Sequence, residues 1–173
     1  MKIKNNKKRK LIIFIILTSL IISSGLFYFF YYRSSNHKID NEIEQGTINY
    51  DSKFKSAELG NIIFPAYTED IFLKKGQKEL PILLVNPSAN KDIYLQYKIS
   101  IINENSKSTF NIGETKLIRP GKASKGIIVS QNKLKDLIKK VYNCRIDVFA
   151  FRYDGKNKVK LNQAYWDIKL HLE

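Results

Sequence analysis

LIIFIILTSLIISSGLFYFFYY, residues 11–32, runs for twenty-two positions without a formal charge, directly behind the basic run Lys7-Lys8-Arg9-Lys10. At ~1.5 Å rise per residue such a stretch makes a helix roughly 33 Å long, enough to cross a hydrocarbon core of about 30 Å. A core helix of a soluble protein carries a polar stripe, and residues 11–32 show none. The expectation is a transmembrane helix over 11–32 behind a basic cytoplasmic tail at 1–10. Lys2, Lys4, Lys7, Lys8, Arg9 and Lys10 give that tail six positive charges and no acid, against Arg33 and Lys38 on the far flank. Positive charge is retained on the cytoplasmic side, which puts residues 33–173 outside the cell. The aromatic run Phe27–Tyr32 suits the outer interface, where amphipathic rings sit at headgroup level. Ser23-Ser24-Gly25 offers the small residues of a signal-peptide cleavage site, but seven apolar or aromatic residues follow it and no A-x-A-like pattern precedes it. The segment reads as an uncleaved, single-pass anchor.

The remaining chain is long enough for one domain with its own core. Its one cysteine, Cys144, cannot form an internal disulfide, which suits a Gram-positive envelope without periplasmic-style oxidation. The formal charge is +14, six of it in the tail, so the outer part carries +8 from 24 basic and 16 acidic residues. Residues 122–173 hold 12 basic and 5 acidic side chains, which concentrates the positive surface in the last third. Such a surface favours anionic neighbours, or simply keeps the domain soluble.

Residues 33–60 are polar with alternating charge and only scattered apolar positions, the pattern of a stalk or linker. From Asn61 onward, over 61–173, short apolar runs alternate with turn chemistry: Ile62-Ile63-Phe64 before Pro65, Ile71-Phe72-Leu73 before Lys74-Lys75-Gly76, and Leu80–Val85 before Asn86-Pro87. Ile93–Ile102 alternates for ten residues, with Leu95, Tyr97, Ile99 and Ile101 on one face. Pro120-Gly121 fits a type II turn, and Asp154-Gly155 a hairpin turn between strands at Arg145–Tyr153 and Val159–Leu172. In the last strand Ala164, Trp166, Ile168, Leu170 and Leu172 share a face, with Trp166 expected as a core anchor. Leu134, Leu137, Ile138 and Val141 recur at i, i+3, i+4, i+7, which predicts an amphipathic helix of about three turns over Gln131–Tyr142. Seven or eight strands at this spacing predict an antiparallel β-sandwich with one short helix.

The stretches Ile63–Tyr67, Val85-Asn86-Pro87, Ile118–Lys122 and Leu161–Ala164, in that order, resemble a group of small single-pass Gram-positive surface proteins with one immunoglobulin-like β-sandwich, often encoded in conjugative or other mobile elements. The signatures are I-P-x-Y, Y-N-P, (V/I)-x-P-G-K and L-N-G-A. Phe64, Val85 and Gln163 depart from them, standing where isoleucine, tyrosine and glycine are usual. The resemblance implies an extracellular immunoglobulin-like domain and an envelope address; the group has no settled activity.

Chemistry is sparse. Two histidines and one cysteine, far apart in sequence, do not form a metal-ligand pattern, and no cofactor is expected. Gly113, Gly121 and Gly126 read as turn glycines with no phosphate-cradling loop. A Ser–His–Asp set would have to use His171, near the end of the sequence, so no catalytic residues are assigned. A binding surface is the better candidate: Lys133, Lys135, Lys139 and Lys140 on the expected helix, with Arg152, Lys156, Lys158 and Lys160 near the Asp154-Gly155 hairpin, forming one basic patch with Tyr153 interleaved. The plainer reading, that the same lysines keep a helix and an edge hairpin soluble, is the favoured one. The leading expectation is a non-enzymatic, membrane-anchored extracellular accessory or scaffold protein of an envelope complex, of the conjugation or secretion type, with protein partners. The alternative is a module binding an anionic wall polymer, glycan or nucleic acid through the patch; a small envelope enzyme is third.

Overall fold

The computed structural model describes residues 3–50, 61–67, 70–103, 108–135, 137–155 and 157–173, the side chains of 3–11 and 31–38 excepted. The chain forms two units, Met1–Asn41 and Glu42–Glu173.

The described residues of the first unit lie within one long helix, α1 (Ile3–Glu42). Within it Ile12–Phe30, 19 residues of mean hydropathy 2.3 and none of them buried, is long and apolar enough to cross a membrane. The few hydroxyls in this span are satisfied locally. Thr18 Oγ1 donates to the carbonyls of Phe14 and Ile15 at 3.0 and 2.9 Å, Ser19 to Ile16 at 2.8 Å, Ser23 to Leu20 at 3.0 Å and Ser24 to Ile21 at 2.9 Å. Such back-bonding leaves no hydroxyl seeking water, which a low-dielectric surrounding requires. The helix outruns the expected span of 11–32 and takes in the first part of the expected stalk.

The second unit is built of strands: β1 (Ile48–Asn49), β2 (Ile71–Leu73), β3 (Glu79–Leu80), β4 (Leu84–Asn86), β5 (Tyr94–Ile102), β6 (Thr109–Glu114), β7 (Lys122–Ser124), β8 (Ile127–Ile128), β9 (Val141–Asp154) and β10 (Asn157–Leu172). A five-stranded sheet has the order β2-β10-β9-β5-β6, with the shorter sheets β1-β7-β4 and β3-β8 beside it. The alternation expected in β5 is present: Leu95, Tyr97 and Ile99 are fully buried and Ile101 nearly so. Cys144, Ile146, Val148 and Ala150 of β9 lie beside them, and Ile168 and Leu170 of β10 complete the inner face. Leu80, Leu84, Ile118, Ile127 and Val129 from the other side close one continuous core over it.

The Asp154-Gly155 turn joins β9 to β10 as expected, and Gly155 takes φ +58°, open to glycine at no steric cost. Gly121 has φ +70°, as the third position of a type II turn demands. Gly113 is not a turn residue. It lies inside β6 where the pairing to β5 shifts register, and a Cβ built on it would stand 2.6 Å from the Ile128 carbonyl oxygen. Close approach of two backbones, not a turn, requires glycine there.

Five expectations need correction. The sheet is not purely antiparallel, because β2 pairs parallel with the end of β10, Ile71 opposite Leu170 and Leu73 opposite Leu172. The stalk at 33–60 is not a uniform linker. Ile43 is buried and bridges Leu117, and β1 pairs with β7, so isolated apolar residues in a polar stretch supply core and strand contacts; residues 51–60 lie outside the described set. Ile62–Phe64 forms no strand. The three-turn helix at Gln131–Tyr142 is also absent: α2 is a single turn, Gln131–Leu134, Ile138 is 95% exposed and Val141 already belongs to β9. Its apolar spacing serves a loop and a strand start, where β-branched Val141 and the pairing of β9 to β10 override helical periodicity. Trp166 is half-buried, not enclosed between sheets, and its ring meets Tyr67 edge-on at 5.8 Å.

Candidate functional site

The length of β9 decides where the basic residues go. Lys140 immediately precedes this 14-residue strand and Arg152 lies near its end. At about 3.3 Å per residue the two stand roughly 40 Å apart. The single basic patch expected from sequence is therefore two clusters at opposite poles of the β-rich unit.

At the hairpin pole the cations are engaged. Lys158 Nζ lies 3.0 Å from Glu42 Oε2 and 4.6 Å over the Phe151 ring. Lys160 Nζ sits 4.5 Å over Phe149 and donates to Gln163 Oε1 at 2.6 Å. Arg152 is 3.9 Å from Asp92. Lys156 lies outside the described residues. Tyr153 donates its hydroxyl to Glu42 Oε2 at 3.1 Å and packs edge-on against Tyr94 at 5.5 Å. Burial and the Glu42 carboxylate push its phenol up to about 12. These contacts fix the lysines and Tyr153 on their own domain.

The outer face of the large sheet continues from there. Arg145, Asp147, Phe149 and Phe151 follow one another along this face of β9, all half-buried. Arg145 grips Asp167 with Nε at 2.8 Å and a second nitrogen at 3.0 Å while its guanidinium lies 4.0 Å over Tyr165. The paired guanidinium lowers the Asp167 carboxyl below its ordinary range, and burial raises that of Asp147.

The other pole is different. Lys133 of α2 is a structural peg, its Nζ donating to the Asn111 carbonyl at 2.7 Å and lying 5.6 Å from the Phe110 ring centroid. Lys135, Lys139 and Lys140 are exposed and line a groove of about 780 Å³ together with Lys74 and Lys75. Leu73, Leu134, Leu137 and Leu172 form its apolar floor, and Glu173 is its acidic neighbour. A second groove of about 500 Å³ adjoins it through Leu137 and Lys139, with Phe110 and Val141 on its wall. Lys74 and Lys75 were not in the sequence-derived set. They stand in a turn after β2, far from residue 135 in sequence, and only the parallel pairing of β2 with β10 brings them here. No sequence signal announces that pairing.

Other reactive groups are occupied or enclosed. Cys144 is fully buried, which pushes its thiol up to about 12. His171 Nε2 lies 2.8 Å from Asp70 Oδ2, with its ring stacked on Phe72 at 4.6 Å. Among the described residues, no three His, Cys, Asp or Glu side chains are grouped to hold a metal ion. No family model, no curated protein and no solved structure matches the chain.

Proposed function

We propose that this is a non-enzymatic, single-pass membrane protein whose β-rich unit, an immunoglobulin-like domain, stands outside a Gram-positive cell as an accessory or scaffold of an envelope complex of the conjugation or secretion type. The apolar span Ile12–Phe30 behind six basic residues supports the anchor and its orientation. The observation that carries the scaffold role is the edge of β10. Among the described residues its second edge pairs only at Leu170–Leu172, with β2, leaving Asn157–Lys169 without a backbone partner on that side. Lys158, Lys160 and the bulge between Lys160 and Asn162 guard the first half of that edge against indiscriminate pairing. The second half, from Asn162 to Lys169, presents one lysine and the exposed Tyr165, and accepts an extended strand of a partner protein by β-addition.

Two measurements test this reading. Protease added to intact protoplasts is expected to remove the β-rich unit and leave a short membrane fragment; full protection overturns the orientation. A photo-crosslinking residue at Gln163 in the full chain is expected to yield a discrete envelope-protein adduct, whereas the same residue at the far edge, at Asn111, yields none. Equal labelling at both positions overturns the edge as the docking site.

A further inference from the structure

We infer that the pole formed by Lys74, Lys75, Lys135, Lys139, Lys140 and Ile138 is a docking surface for an anionic lipid bilayer. This goes beyond the anchored-scaffold reading and stands without it.

Ile138 is the apolar tip of this pole. It is 95% exposed in the loop between α2 and β9, with Lys139 and Lys140 following it and Lys135 before it. Val141 and Phe110, 42% and 46% exposed, extend the apolar surface into the adjoining groove. None of the five lysines forms an ion pair with an acid among the described residues; Asp136 lies outside that set, and Glu173 is the acid lining the groove. At the hairpin pole, by contrast, Lys158 and Arg152 face acids and Lys160 is held by Gln163. An apolar protrusion ringed by free ammonium groups is complementary to one kind of surface, in which negative headgroups overlie hydrocarbon. The lysines attract the headgroups and the isoleucine reaches below them. A linear phosphate polymer would use the lysines and leave Ile138, Phe110 and Val141 in water. A protein partner fits less well, because lysine is depleted in protein interfaces.

The surface lies at the pole opposite Glu42, the first residue of the unit, which Tyr153 and Lys158 hold at the hairpin end. Because α1 is itself long and apolar enough to hold a bilayer, the test presents a second one. The full chain is placed in nanodiscs of phosphatidylcholine and floated with vesicles of either phosphatidylcholine alone or an equimolar mixture with phosphatidylglycerol. Expected is capture by the anionic vesicles only, weakening as salt is added. Reversing Lys135, Lys139 and Lys140 to glutamate weakens capture at least about 100-fold, at roughly fivefold for each lysine removed. Ile138→Ser weakens it about tenfold and Ile138→Leu leaves it unchanged. Each variant is first shown to melt with the wild type. Equal capture by neutral vesicles, or none by anionic ones, overturns the inference. So does capture that ignores Ile138→Ser and is abolished by soluble polyphosphate, which would make the pole a polyanion site.

Discussion

The carboxamide of Asn90 donates to the Asn86 side-chain oxygen at 2.9 Å, and between them the two residues tie four separate segments together. Asn86 Nδ2 donates to the carbonyls of Ile93 and Ile118, both at 2.8 Å. Asn90 accepts the Ile63 amide and donates to the Ile63 carbonyl, both at 2.9 Å, so its side chain pairs with that residue as a strand neighbour would. Both asparagines are buried, and every bond replaces water that the interior excludes.

Removing this network is costly because partners are left stranded. Asn86→Ala strands the half-buried Ile93 carbonyl and one Asn90 donor and leaves the Ile118 carbonyl with the Leu95 amide alone, and is expected to lower stability by about 1–3 kcal/mol. A chemical-denaturation midpoint close to that of the wild type would show that the network holds nothing.

Trp166 is half-buried, whereas Ile99 and Ile146 are fully enclosed. Ile99→Ala is therefore expected to cost about 3–4 kcal/mol and Trp166→Ala about 2 kcal/mol, despite the larger side chain. The reverse order in denaturant titrations would mean that the aromatic pair Trp166–Tyr67 seals more of the core than its exposure suggests.

The loop at Ile138 gives the opposite expectation. A residue facing solvent contributes little to folding, so Ile138→Ser should change stability by no more than about 0.5 kcal/mol. Were Ile138 on the buried face of a three-turn helix, the loss would be several times larger. Thermal melting of the two proteins side by side decides the matter.

Cys144 should behave as a small hydrophobe. Burial holds its thiol protonated, up to about 12, and no reagent reaches it in the folded state. Maleimide added at mildly alkaline pH should label the unfolded chain fully and the native chain only at the rate of global unfolding. Rapid native labelling would place the β9 face in solvent.

Alkaline pH should unfold the β-rich unit. Tyr97 donates its hydroxyl to the Val85 carbonyl, and Tyr67 accepts the Val85 amide at 3.2 Å, the two rings meeting edge-on at 5.9 Å. Burial raises both phenols above their ordinary value, and Tyr153 is raised as well. In the unfolded chain the same phenols ionise near pH ~10. Their stabilising contribution is thus complete below about pH 10 and is lost as pH rises through the folded values. Denaturation midpoints measured across this range should be flat and then fall, with a shallower fall for Tyr97→Phe. A midpoint indifferent to alkali would show these phenols to be exposed.

Local pattern carried much of this molecule. The uncharged run at 11–32 specifies its own helix, because where no water competes every backbone group must pair within the segment. The alternation in β5 and β10 specifies which face is buried, and Asp154-Gly155 specifies the hairpin, since each depends only on neighbours in sequence. What the sequence withheld depends on residues that are distant along the chain. The apolar spacing of Leu134, Leu137, Ile138 and Val141 was a helix signal, yet β10 recruits Val141 into a strand and Ile138 is left outside. Asn86 reads as a turn residue until four segments converge on it and Asn90. The eight-residue basic patch came apart because a 14-residue strand separates its halves, and its distal half gained Lys74 and Lys75 because β2 runs parallel to β10. Charge is read one residue at a time, but a surface exists only where the tertiary pairing of strands brings charges within reach of a common ligand.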